Sequence, residues 1–169
     1  MNGPVTGRVT ERVTEPVTEP VTEPLEITFD VEVAQRHAFE TWTVRFGSWW
    51  PRGHTVSGDD DAVVELQPHL GGAIGERMPD GTHHAWGRVT AWDPPEEFGY
   101  DWHFGRESAD ATRVRVRFVA LAKDRTRVEI RHDGWDALGE EAATWRERNV
   151  GGWQGMLPHY LGQLEKETR

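Results

Sequence analysis

The chain contains no cysteine, which excludes a disulfide scaffold and thiolate catalysis and leaves only histidine and carboxylates as metal ligands. It also lacks any run near the ~20 apolar residues of a membrane span, and its N-terminus lacks the apolar core of a secretory leader. A soluble cytoplasmic protein is the expectation. No GxSxG, phosphate-binding glycine loop or HExxH occurs, so nucleophilic, phosphate-loop and zinc-hydrolase chemistries have no carrier. Asp59-Asp60-Asp61 lacks the rest of a calcium loop, and the adjacent His83 and His84 would point to opposite faces of a strand. No metal and no cofactor are expected. Positive charge is the minority, with 19 Lys and Arg against 29 Asp and Glu and a net charge of −10. Such a surface repels phosphate backbones and disfavours nucleic acid as a partner.

What is present fits one domain with a tail, since 169 residues suffice for one real core. Residues 5–24 repeat a four-residue unit, drifting from VTGR and VTER to three copies of VTEP with Pro16, Pro20 and Pro24 in register. A proline at every fourth position prevents both helix and strand, so residues 1–24 are expected to be a disordered, partly polyproline-like arm. Residues 25–169 form the folded domain. Leu25, Ile27, Phe29, Val31 and Val33 alternate with polar residues, which writes a half-buried first strand. The alternation then stops, and Ala38, Trp42 and Phe46 recur at helical spacing until Gly47 and Trp49-Trp50-Pro51.

Four further strands are read at Val63–Gln67, Ala73–Met78, His84–Trp92 and Phe98–Phe104. Asp80-Gly81 and Pro94-Pro95 mark the turns between them. Phe98, Tyr100, Trp102 and Phe104 fall two apart and therefore make one strand face strongly aromatic. On the strand before it, Trp86, Thr90 and Trp92 compete with Gly87, Val89 and Ala91 for the interior, and the pattern leaves both phases open. Val114, Val116 and Phe118, then Val128, Ile130 and His132, complete seven strands, with Arg113, Arg115, Arg117, Arg127 and Arg131 outward.

Val150, Trp153, Leu157, Leu161 and Leu164 recur at three and four, giving an amphipathic C-terminal helix. Gly151, Gly152, Gly155 and Gly162 each cost about 1 kcal/mol there relative to alanine, and Pro158 about 3. Either packing offsets this or the helix kinks near Pro158, and the small residues either admit close helix–sheet approach or leave room between the layers. The fold class is α+β, a curved antiparallel sheet wrapped around a long C-terminal helix.

Phe46-Gly47-Ser48-Trp49-Trp50-Pro51, Gly71-Gly72, Gly87-Arg88-Val89 leading to Trp92-Asp93-Pro94-Pro95, Trp102, His132-Asp133-Gly134-Trp135 and Gly152-Trp153 follow one another at fitting intervals. Over residues 25–166 the chain thereby resembles the SRPBCC (START-like, helix-grip) superfamily, in the branch of the activator of Hsp90 ATPase homologue 1-like (AHSA1-type) proteins. The resemblance implies a hydrophobic cavity between the sheet and the C-terminal helix. Where the chaperone activator carries a further N-terminal domain, this chain has the proline-rich arm.

Tyr100 and Trp102 on the aromatic face, Phe118 on the next strand, and Trp153 and Leu157 on the last helix are the candidates for the walls of that cavity. Trp50 and Trp135 are placed near its mouth by the resemblance. Trp42, Trp49, Trp86, Trp92 and Trp145 are assigned to packing or to the sheet rim. Glu76 shares a strand face with Ile74 and Met78, so it would point inward with a raised pKa if that face is concave; His132 continues the Val128–Ile130 face. These two are the weak catalytic candidates. The expected function is binding of a small hydrophobic or aromatic molecule without catalysis. One alternative is a stress-response or co-chaperone interaction module of the Hsp90-activator type. The other is a polyketide cyclase- or dehydratase-like enzyme using Glu76 and His132. The compatible partners are a small hydrophobic molecule, a chaperone or other protein, and a second copy of the chain; a membrane is not expected.

Overall fold

The computed structural model describes residues 23–169. The repeat arm lies, up to residue 22, outside the described residues. Strands β1 (Leu25–Val31), β2 (Val63–Leu66), β3 (Ala73–Arg77), β4 (His83–Asp93), β5 (Glu97–Trp102), β6 (Thr112–Ala122) and β7 (Arg125–Asp133) form one sheet in the order β1-β7-β6-β5-β4-β3-β2. Every pairing is antiparallel. Helices α1 (Gln35–Trp42) and α2 (Phe46–Trp49) follow β1, and α3 (Ala142–Glu167) ends the chain after a 3-10 segment at Trp135–Glu141. No described helix is long and apolar enough to cross a membrane.

The sheet curls around α3 because alternation sends one set of side chains into the concave side. Val114, Val116 and Phe118 of β6 and Val128, Ile130 and His132 of β7 are all buried. Their neighbours Arg113, Arg115, Arg117 and Arg131 stand on the convex face, as read from the sequence. There they pair with carboxylates: Asp133 takes Arg113 and Arg131, and Glu97 takes Arg115 and Arg117. Exposed pairs of this kind add little stability. The energy lies in the concave face, where each large side chain taken from water contributes about 1.5–3 kcal/mol.

The helical spacing of Ala38, Trp42 and Phe46 is carried by two helices, α1 and α2, rather than one. Thr43 closes α1, its hydroxyl donating to the Phe39 carbonyl at 2.8 Å, and the chain turns before Phe46. The buried face of α3 is also phased differently from the Val150–Leu161 pattern. Trp153, Met156, Tyr160 and Leu164 are buried, Leu157 is half-buried, and Leu161 is 42% exposed. Aromatic area decides the phase: Tyr160 packs on Trp42, Trp49 and Phe29 and donates its hydroxyl to the Ala38 carbonyl at 2.8 Å. The helix glycines serve no close approach, because a Cβ at Gly151, Gly152, Gly155 or Gly162 would meet nothing within 4 Å.

The ambiguous strand β4 resolves through two irregularities. Its register against β3 shifts near Trp86 and against β5 near Thr90. An extra residue at each bulge resets the alternation, so Trp86 and Val89 are buried and Trp92 packs on Phe39 and Phe98. Gly87 is required where β4 pairs with β5 opposite Trp102, since a Cβ there would run into the Asp101 carbonyl oxygen.

Candidate ligand site

The aromatic face of β5 continues as a ladder of rings. Phe98 and Tyr100 lie 5.5 Å apart at 22°, Tyr100 and Trp102 5.7 Å apart edge to face, and Trp102 and Phe104 5.7 Å apart at 16°. Burial pushes the Tyr100 phenol up from its ordinary pKa, so it is neutral. At one end of the ladder a box of four rings forms. Trp50, arriving from the end of α2, lies 5.2 Å from Trp86, 5.9 Å from Trp102 and 6.4 Å from Phe104. Trp86 closes on Phe104 at 4.9 Å. The residue after α2 thus lies against the aromatic end of the sheet, while Phe118 sits deeper, against Phe39 and Trp42.

His132 joins the helix to the sheet. Trp153 on α3 donates its indole N–H to His132 Nδ1 at 3.1 Å, which leaves Nε2 to carry the proton and donate to Thr112 Oγ1 at 2.7 Å. The Thr112 hydroxyl in turn donates to the Trp102 carbonyl at 3.2 Å, and the Trp135 indole donates to the His132 carbonyl at 3.0 Å. Burial, with the Arg106 charge as a second cause, pushes the His132 pKa from 6.5 down to about 3. The imidazole is neutral, with both nitrogens engaged.

Glu76 points inward and is fully buried, as its strand phase predicts. The raised pKa expected of it does not hold. Burial works to raise it, but hydrogen bonds from Ser57, Val56 and Trp86 outweigh burial and hold the carboxyl below its ordinary range. The donors are the Val56 N–H at 2.6 Å, the Ser57 hydroxyl at 2.5 Å, the Ser57 N–H at 3.3 Å and the Trp86 indole at 2.7 Å. An ionised, buried carboxylate is tolerable here because uncharged donors surround it.

Two clefts open beside this end of the sheet. A cleft of about 710 Å³ is lined by Val56, Ala85, Trp86, Arg106, Leu138 and Trp145 among others. Another of about 530 Å³ runs along Trp50, Pro51, Thr55 and Val64. In the first, the Arg106 guanidinium lies 4.8 Å over the Trp145 ring and donates to the Trp102 carbonyl at 3.0 Å. Its Nε is buried without a partner among the described residues, as is the Trp42 indole nitrogen beside Trp153. No group of three or more potential metal-ligating side chains occurs among the described residues.

Of the residues singled out from sequence, Trp50, Tyr100 and Trp102 come together around the box. His132, Trp135 and Trp153 form a second cluster joined to it through Thr112. Trp135 is completely buried beside His132, 4.3 Å ring to ring, so it does not stand at a mouth. Leu157 lies half-buried on α3. Sequence reading missed Trp86 and Phe104 as members of the box, His54 as the ring stacked on Phe104, and Arg106 as a cleft residue. Phe104 continued the visible alternation and was the one signal available; the inward turn of Trp86 depends on a bulge that leaves no mark in the pattern.

A family model described as "Activator of Hsp90 ATPase homolog 1-like protein" matches residues 32–165. Among curated proteins, none matches significantly. The fold is similar to that of the self-sacrificing resistance protein CalC from Micromonospora echinospora, at 23% identity and TM-score 0.67 over 87% of this chain and 97% of that one. An anthrahydroquino-gama-pyrone synthase, Txn09, is 30% identical with TM-score 0.51 over 70% of this chain and 81% of that one. PFC0360w, an HSP90 activator from Plasmodium falciparum, shares the fold at 18% identity and TM-score 0.59, over 85% of this chain and 96% of that one. The helix-gripping sheet, the ordered motifs and the match across 32–165 agree: the chain belongs to the activator of Hsp90 ATPase homologue 1-like family of the SRPBCC superfamily.

Proposed function

We propose that this protein binds a small, planar aromatic or hydrophobic molecule between the concave sheet and α3, without turning it over. The observation that carries this reading is the continuous ring surface from Phe98 through Tyr100 and Trp102 to Phe104, which reaches the 710 Å³ cleft at Trp86. Volumes of this size suit small-molecule sites, and this one sets the aromatic surfaces of Trp86 and Trp145 among polar groups from His83, His84, Arg106, Glu107 and Glu141. The 30% identity with a synthase named for an anthrahydroquino product points toward polycyclic aromatic ligands.

Binding is favoured over catalysis by the state of the two acid–base candidates. Glu76 spends its acceptor capacity on Val56, Ser57 and Trp86, and both ring nitrogens of His132 are occupied. Neither holds a proton position free for a substrate.

Tryptophan emission of the full chain, titrated with emodin, quercetin and palmitate, tests the reading. A saturable change at micromolar emodin or quercetin that weakens in Trp102→Phe is expected. Flat titrations with all three compounds would overturn it and return weight to a protein-interaction module.

A further inference from the structure

Between the two clefts runs a segment, residues 51–58, that the binding reading leaves unused. Its outer surface is mostly exposed, yet it covers the four-ring box of Trp50, Trp86, Trp102 and Phe104. Gly53 lies within it and Gly58 ends it, both with left-handed backbone (φ +83° and +72°) that other residues adopt at a cost, and both with open space where a Cβ would stand. Cleft volume lies on both sides: Val56 lines the larger cleft, and Trp50, Pro51 and Thr55 line the smaller.

Few interactions hold the segment down. The Trp50 indole donates to the His54 carbonyl at 2.6 Å. The His54 imidazole lies on Phe104 at 5.0 Å with only 8° between the planes. Phe104 in turn lies 16° from Trp102, so Trp102, Phe104 and His54 form one column of near-parallel rings. His54 is its outermost member, where the ring of a planar guest would stack. The remaining attachment is Glu76, which takes the Val56 N–H, the Ser57 N–H and the Ser57 hydroxyl from below. One fully buried carboxylate is thus bonded to two successive residues of an otherwise exposed segment.

We infer that residues 51–58 are a strap latched by Glu76, and that a planar aromatic ligand displaces it by taking the position of the His54 ring on Phe104. The inference rests on the proposed binding function and adds how the site opens and which ring of the chain the ligand replaces. The strap lies closed over the box, with His54 5.0 Å from Phe104 and Phe104 5.7 Å from Trp102.

Amide hydrogen exchange on the full chain tests the latch without any ligand. The Val56 and Ser57 amides should exchange through a local opening, far faster than those of β5 and β6. Ser57→Ala, which keeps Glu76 and its buried partners, should speed Val56 exchange at least about fivefold while leaving β5 and β6 unchanged. Exchange of Val56 and Ser57 only at the rate of the sheet, alike in both proteins, would overturn the strap itself.

Emodin then tests displacement. On binding, Val56 and Ser57 should lose protection, and His54→Ala should tighten emodin roughly three- to tenfold, the worth of one freed stacking position. Greater protection of Val56 on binding, or weaker binding by His54→Ala, would overturn displacement and make His54 a ligand contact. If emodin, quercetin and palmitate all fail to bind, the proposed function and displacement fall together. The free-protein exchange still decides whether the strap exists.

Discussion

Trp153 of α3 donates its indole N–H to Nδ1 of His132 on β7 across 3.1 Å, and this bond sets the tautomer of a fully buried imidazole. Its consequence runs further than the pair. With Nε2 protonated, His132 donates to Thr112, and Thr112 donates to the Trp102 carbonyl that also receives Arg106. One chain of donors thus ties α3 to the strand carrying the aromatic ladder. Trp153→Phe keeps an aromatic ring at the site but leaves Nδ1 without a donor. It should lower unfolding free energy by about 1–3 kcal/mol in urea titration, and an unchanged midpoint would show that the bond carries no stability.

Acid should weaken the fold through the same residue. The folded-state pKa of His132 is depressed, so the unfolded chain binds the proton more readily and stability falls as pH drops below 6.5 toward about 3. The slope approaches ~1.4 kcal/mol per pH unit for the one proton. His132→Gln, which cannot titrate, should flatten the profile between pH 6.5 and 5. A wild-type slope in that variant would assign the effect to another group.

A second acid-sensitive tie sits at the far end of α3. Glu167 accepts from Thr41 at 2.5 Å, Gln163 at 3.0 Å, His37 at 2.8 Å and Arg45 at 3.1 Å. Burial works to raise its pKa, but these donors prevail and bring it from 4.5 to about 2. Its contribution is therefore present above pH 4.5 and lost as pH falls toward 2. Glu167→Ala should cost about 1–3 kcal/mol at neutral pH and speed amide exchange in the last two turns of α3. Equal exchange in variant and parent would deny the tie.

The glycines give two opposite expectations. Gly151→Ala and Gly155→Ala on α3 should each stabilise by about 1 kcal/mol, since a Cβ meets nothing there and alanine is the better helix former. Gly87→Ala should destabilise by about 2–3 kcal/mol, because its Cβ would press on the Asp101 carbonyl of the neighbouring strand. Thermal unfolding of the three variants separates them by sign. A destabilised Gly155→Ala would mean that α3 needs its glycines for motion rather than fit.

Much of the fold was legible because period-two alternation is local. Val114, Val116 and Phe118 declare a strand and its buried face within five residues, and no distant contact changes that reading. The phase of α3 was less legible: Val150 and Leu161 fit the helical repeat as well as Met156 and Tyr160 do. Only the position of Trp42 and Trp49 beneath the helix decides which stripe is covered.

Sequence by itself therefore determined the seven strands, the order of elements, the inward aromatic face of β5 and the outward arginines. These follow from side-chain periodicity and turn residues. Tertiary structure alone decided that Trp86 turns inward at a bulge, that Glu76 is an ionised anchor for Val56 and Ser57, and that His54 caps the column begun by Trp102 and Phe104. The reason is physical. Whether a buried carboxyl keeps its proton, or a ring finds a stacking partner, depends on donors and faces supplied by residues 10 to 50 positions away, and no local pattern encodes their distance.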